Sequence, residues 1–199
     1  LKSANDKGMI NYLKSIHRSK NLNIDIGNKC TLGCSQCART IYKNKGYKLP
    51  GTDMTLSQFD KLSNYFKGRM ISFCGTWSDP IYNPKFIDML KMCKDKKIEA
   101  EVHTAASHRP EAWYEKAFLA NTDARWIFGI DGLPSESHNY RVNQDGEKLF
   151  NMMIKSTDTI KQTVWQYLVF DYNKYNIEEA SNLAAQHNIF FLLIHTTRL

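Results

Sequence analysis

The segment "IDIGNKCTLGCSQCART", residues 24–40, sets Cys30, Cys34 and Cys37 within eight positions, directly after a stretch that reads as a buried strand. Its upstream half belongs to "NLNIDI" (21–26), whose apolar and polar residues alternate as in a strand. Downstream, "TLSQFDKLSNYFKG" (55–68) opens at Thr55, carries Leu56, Phe59, Leu62 and Phe66 at helical spacing, and stops at Gly68. A strand is therefore followed by a helix, with the cysteines on the connection.

The same unit recurs. "MISFC" precedes the helix "NPKFIDMLKMCKDKK", with Asn83 as cap and Pro84 in its first turn. "IEAEVHT" and "RPEAWYEKAFLA" form a third pair, "RWIFGID" and "GEKLFNMMIKSTD" a fourth, and "VWQYLVF" and "NIEEASNLAAQH" a fifth. "IFFLLIH" is a sixth strand. Strands alternating with helices over short connections imply an α/β fold with a parallel sheet, right-handed crossovers and helices outside. Six units fit a partial TIM-like barrel, (β/α)6. An open doubly wound sheet is the alternative, and either arrangement puts function at the carboxyl ends of the strands.

The chain has 199 residues, 42% hydrophobic and 24% charged, which suits one globular domain over 1–199, with residues 1–21 a helical extension ahead of it. No apolar run approaches the ~20 residues of a membrane helix. The opening "LKSANDKGMINYLKS" lacks the apolar core of a secretory signal, so a cytoplasmic protein is expected. Five cysteines, three of them clustered, point to metal rather than to a disulfide framework. The net charge is +7, and no Asp or Glu falls between Lys29 and Lys48, where Arg39, Lys43 and Lys45 add to the positive loop. A solvated basic loop or a docking face for an anionic partner both answer to that pattern.

A structural zinc normally takes four protein ligands, often as two separated pairs, and the cluster offers three. Cys93 lies on the apolar stripe of its helix and reads as core, and Cys74 reads as a small buried residue at a strand end. Iron–sulfur cubanes are held by thiolates, normally four, so three leave one iron open. Cys-x3-Cys-x2-Cys on the loop after the first strand of a repeated β/α chain resembles the radical S-adenosylmethionine superfamily, as a core-only member. That resemblance implies a [4Fe–4S] cluster on Cys30, Cys34 and Cys37, and S-adenosylmethionine chelating the open iron. It also implies a flavodoxin- or ferredoxin-like electron donor, and no C-terminal domain with auxiliary clusters.

Further segments carry the likeness along the chain. "CGTWSDPIYNP" is similar to the family's Gly-Gly-Glu-Pro-like segment, which implies that Gly75, Thr76 and Asp79 meet the methionine moiety. "VHTAASHRP" keeps Thr104 of a Thr-Asn-Gly-like segment, with His103 and His108 near the substrate. "FGIDGLPSESHNYR" resembles the Ile-Asp-Gly and Tyr-Arg segments of radical enzymes that modify peptides, implying that Asp131 faces a ribose or substrate and Arg141 the methionine carboxylate. Gln36 stands where many members place an aromatic residue against adenine, and Asn173, past the fifth strand, is a second candidate there.

The reading that follows is a radical enzyme whose substrate is peptide-like or a phosphorylated small molecule. The catalytic residue that meets the substrate is not identified. A zinc-stabilised nucleic-acid-binding module is the alternative from another class, since positive charge and abundant aromatics suit phosphate and base contacts, although core packing accounts for most of the aromatics. A degenerate cluster-binding sensor is the third.

Overall fold

The computed structural model describes residues 21–66 and 68–195. The helical extension expected over 1–21 lies outside them except for Asn21, which opens the first strand.

Six parallel strands form one sheet in the order of the chain: β1 (Asn21–Ile24), β2 (Met70–Phe73), β3 (Glu99–Thr104), β4 (Arg125–Gly129), β5 (Gln162–Val169) and β6 (Phe190–His195). Each crossover steps to the next strand on the same side, so right-handed connections set the helices on one face. A doubly wound sheet would reverse direction at an inner strand; sequential order excludes it and gives the partial (β/α)6 barrel.

The helices are α1 (Ala38–Asn44), α2 (Leu56–Ser63), α3 (Phe86–Asp95), α4 (Glu111–Ala120), α5 (Gly146–Ser156) and α6 (Ile177–Gln186). Thr55 starts α2 with a reciprocal capping box: its hydroxyl accepts from the Gln58 amide at 3.2 Å, and the Gln58 side chain accepts from the Thr55 amide at 2.9 Å. Helix α3 begins later than Asn83 because that side chain is engaged elsewhere. It donates to the carbonyls of Ile26 (2.6 Å) and Met54 (3.0 Å) and accepts from the Lys85 amide at 2.7 Å. The short α1 was not legible as a helix: Cys37 caps it without a side-chain bond, and apart from the buried Arg39 its residues are mostly exposed and lack an apolar stripe.

The strand register sorts side chains into two faces. Val102 pairs with Trp126, and Phe128 with Trp165, and these pack outward against helices: Phe118 of α4 lies 4.9 Å from Trp126, and Phe150 of α5 lies 5.1 Å from Trp165. Intervening residues Ser72, Glu101, His103, Ile127 and Gln166 point to the concave side. The outer face is the dry core; the inner face is free to hold ligands.

Candidate active site

The cysteine loop follows β1 and is fastened on both sides by backbone. The Asp79 amide donates to the Lys29 carbonyl and the Gly33 amide to the Val142 carbonyl, each at 3.0 Å. Between the second and third cysteines the chain turns tightly, with the Cys37 amide bonded to the Cys34 carbonyl at 3.1 Å. Ser35 and Gln36 form the exposed tip of that turn. Gln36 is therefore off the cavity wall, where contact with an adenine had been expected. The Thr31 hydroxyl, within the loop, lies 2.7 Å from both Tyr82 Oη and His108 Nδ1. His108 thus braces the loop from outside the cavity.

All three cysteines wall one cavity of about 380 Å³ at the carboxyl ends of the strands. Burial pushes the Cys30 thiol up to about 12, with the Asp79 charge adding to the rise. Burial raises Cys34 as well, opposed by the Arg141 guanidinium beside it. Among the described residues, no three His, Cys, Asp or Glu side chains gather closely enough to share one ion. The three thiols line one open volume. Two buried donors on the same wall, Arg39 Nε and Tyr140 Oη, lack a hydrogen-bond partner. Soft thiol donors around an open volume, with unspent donors beside them, fit an anionic iron–sulfur cluster with a polar ligand.

Cys74 also opens onto this cavity. That corrects the expectation of a buried strand-end residue: β2 ends at Phe73, and the side chain after it turns toward the concave face. Cys93 is fully buried in the core, as its helical stripe implied.

The loop after β2 is shaped by a residue the sequence did not flag. Asp25, just past β1, accepts from the amides of Thr76 and Trp77 (both 2.7 Å) and from the Ser78 hydroxyl (2.5 Å). Gly75 is required there, since a Cβ would strike the Ser78 carbonyl oxygen and come within 2.6 Å of Asp25 Oδ1. Gly75 and Thr76 consequently stand on the cavity wall, with the Thr76 amide committed to Asp25.

Asp79 and Thr104 are held to each other. The Thr104 hydroxyl lies 3.0 Å from both Asp79 oxygens, and the amides of Ala105 (2.9 Å) and Ala106 (3.1 Å) donate to Oδ2. Burial raises the Asp79 pKa against those bonds. The pair latches the β2 loop to the end of β3, and its polar atoms are largely spent on that contact.

Asp131 is wholly buried and off the cavity wall. Its carboxylate accepts from Arg141 Nε at 2.6 Å and from the Leu168 amide at 2.9 Å. Burial works against the Arg141 charge, but Asp131, with Cys34 adding, more than offsets it and keeps the guanidinium ionised. Arg141 reaches the cavity; Asp131 acts through it. Gln144, also missed, donates to the carbonyls of Ala105 (2.5 Å) and Gly129 (2.8 Å), tying the ends of β3 and β4. Asn173 is buried, its side chain accepting from the Phe170 amide (2.7 Å) and donating to the Leu168 carbonyl (2.9 Å).

Deeper on the concave face, Glu101 accepts from His103 Nε2 (2.9 Å), Arg125 Nη1 (2.9 Å) and the Ser72 hydroxyl (3.1 Å). The hydrogen bond from His103 holds the Glu101 carboxyl below its ordinary range despite burial. His103 and Gln166 face the cavity.

No protein-family model and no curated protein matches the sequence. Solved structures do. SuiB of Streptococcus suis bound to S-adenosylmethionine superposes with a TM-score of 0.73 at 13% identity over 98% of this chain. The chain shares the partial (β/α)6 barrel fold of that structure. This core is also seen in methylornithine synthase, PylB (TM-score 0.64, 14% identity, 92% of this chain and 56% of that one). The neighbour anSMEcpe with bound AdoMet gives 0.65 at 13%, over 88% of this chain and 50% of that one. The chain spans 46% of the SuiB structure it matches, so the shared part is the barrel.

Proposed function

We propose that this chain is the catalytic core of a radical S-adenosylmethionine enzyme. The observation that carries the reading is the placement of Cys30, Cys34 and Cys37 on one cavity at the carboxyl end of a barrel shared with proteins solved with S-adenosylmethionine or AdoMet. When bound, a [4Fe–4S] cluster on these thiolates supplies the electron that cleaves S-adenosylmethionine and releases a 5′-deoxyadenosyl radical to take hydrogen from the substrate.

The chain's own residues bind, orient and shield. Arg141, ionised and oriented by Asp131, suits the methionine carboxylate. Gly75, Thr76, Asp79 and Thr104 offer the wall for the methionine moiety, with Asp25 fixing the Thr76 end of it from behind and Asp79 and Thr104 bonded to each other. On the concave face His103 donates through Nε2 to Glu101, which leaves Nδ1 as an acceptor toward a substrate donor group. Exposed Lys43, Lys45 and Lys48, with Tyr42 and Tyr47, surround the cysteine loop, a surface that suits an acidic flavodoxin- or ferredoxin-like donor. A peptide-like substrate is favoured by the likeness to SuiB, solved also with its precursor peptide SuiA; a phosphorylated one is favoured by the positive charge. All five cysteines are free, and no helix among the described residues is long and apolar enough to cross a membrane, which suit a cytoplasmic setting.

The test is anaerobic reconstitution with iron and sulfide, metal and sulfide counting, then reduction with S-adenosylmethionine and mass-spectrometric detection of 5′-deoxyadenosine. Iron with acid-labile sulfide and 5′-deoxyadenosine support the reading. One zinc with neither supports the nucleic-acid module, and an intact cluster without cleavage supports the sensor.

A further inference from the structure

Two guanidinium groups flank the cysteine loop, and they differ in one respect. Arg141, beside Cys34, is neutralised by Asp131 at 2.6 Å. Arg39, in the first turn of α1, is 8% exposed and forms no ion pair among the described residues. Its Nη1 reaches the Leu32 carbonyl inside the cysteine loop at 3.4 Å, a long bond, and its Nε has no partner. The side chain stands on the cavity wall that carries Cys30, Cys34 and Cys37.

A buried cation with an unspent donor is costly unless an anion arrives. Three thiolates around a [4Fe–4S] core make such an anion, and one-electron reduction makes it more negative. Cluster potential responds to net charge, hydrogen bonding and exposure, all of which a fixed neighbouring guanidinium alters.

We infer that Arg39 is a positioning residue that sets how readily the bound cluster accepts its electron, by placing an uncompensated positive charge and a free N–H against the cysteine loop. The step moves one electron from the external donor to the cluster, and Arg39 neither forms a bond nor gives up a proton. The inference rests on the proposed cluster reading. It assigns the two arginines separate tasks: Arg141, already paired, orients a ligand, and Arg39, unpaired, balances charge.

The experiment is an EPR-monitored redox titration of the anaerobically reconstituted protein without S-adenosylmethionine, comparing wild type, Arg39→Gln, Arg39→Lys and the surface control Lys94→Gln. At the wild-type midpoint, Arg39→Gln is expected to lower the ratio of reduced to oxidised cluster about tenfold, about 59 mV for a one-electron couple. Arg39→Lys keeps the charge and is expected to stay within about twofold of wild type, as is Lys94→Gln, whose distant charge is screened. Equal iron and sulfide content in each protein excludes loss of cluster as the cause. An unchanged potential in a fully loaded Arg39→Gln protein overturns the inference while leaving the enzyme reading intact. If Arg39→Gln retains no cluster, Arg39→Lys decides: a wild-type potential supports charge balance, and a tenfold shift overturns it. A wild type that assembles no cluster removes the reading of the site and the inference together.

Discussion

Strands β3 and β4 present two faces built by opposite rules. Outward, Val102, Trp126 and Phe128 are fully buried among helix aromatics. Inward, residues one position away are Glu101, His103 and Ile127, and the polar ones form a bonded set that opens on the cavity. A period of two in the sequence thus separates stability from function within the same strands. Changes to the outer face should cost folding; changes to the inner face should alter the site at smaller cost.

The largest test of that division is Trp126→Ala. Emptying a fully buried indole site is expected to cost about 4 kcal/mol in urea unfolding. The fraction still folded should keep its cluster-forming capacity, and selective loss of cluster binding would break the division. Asp131→Asn comes next, because it leaves Arg141 without its charge partner at 16% side-chain exposure. A loss of about 3 kcal/mol is expected, together with weaker S-adenosylmethionine binding by calorimetry on the reconstituted protein.

Glu101→Gln sharpens the comparison through pH. The folded carboxyl of Glu101 sits below its ordinary value of 4.5, so its stabilisation is fully present above that value and is lost as pH falls through the folded pKa. The variant should be less stable by about 2 kcal/mol at neutral pH, with the gap closing below about pH 4.5. A gap that stays constant to pH 3 in denaturant titrations would show that the charge contributes nothing. His103→Gln, at the cavity edge and 27% exposed, should cost less than about 1 kcal/mol by the same titration. A larger loss would make it a structural residue.

The barrel itself was legible because each strand and helix carries its own period, and six repeats with short connections leave few arrangements. The spacing of Cys30, Cys34 and Cys37 singled them out, and the structure sets all three on the cavity wall. The inner polar set was not: Glu101 pairs with Arg125 24 residues on, and Asp25 holds amides more than 50 residues away, so neither has a local signal. Asp79 and Asp131 were read as facing ligands because their segments, "CGTWSDPIYNP" and "FGIDGLPSESHNYR", resemble ligand-facing segments of the family. The structure engages both carboxylates with neighbouring loops; Asp79 stands on the cavity wall with Arg141, Gly75 and Thr76, and Asp131 lies behind it. Gln36 was placed by its position before the third cysteine, and the tight turn at Cys34–Cys37 carries it outward. Arg39 looked like one basic residue in a basic run; only its burial sets it apart from Lys43 and Lys45.

The most direct measurement is the EPR spectrum of the anaerobically reconstituted, reduced protein before and after addition of S-adenosylmethionine, with Cys34→Ala alongside. The account predicts a [4Fe–4S] signal in the wild type that changes on addition of S-adenosylmethionine, and no such signal in Cys34→Ala although its far-ultraviolet circular dichroism matches wild type. A wild-type signal indifferent to S-adenosylmethionine, or a cluster that persists in Cys34→Ala, would contradict it.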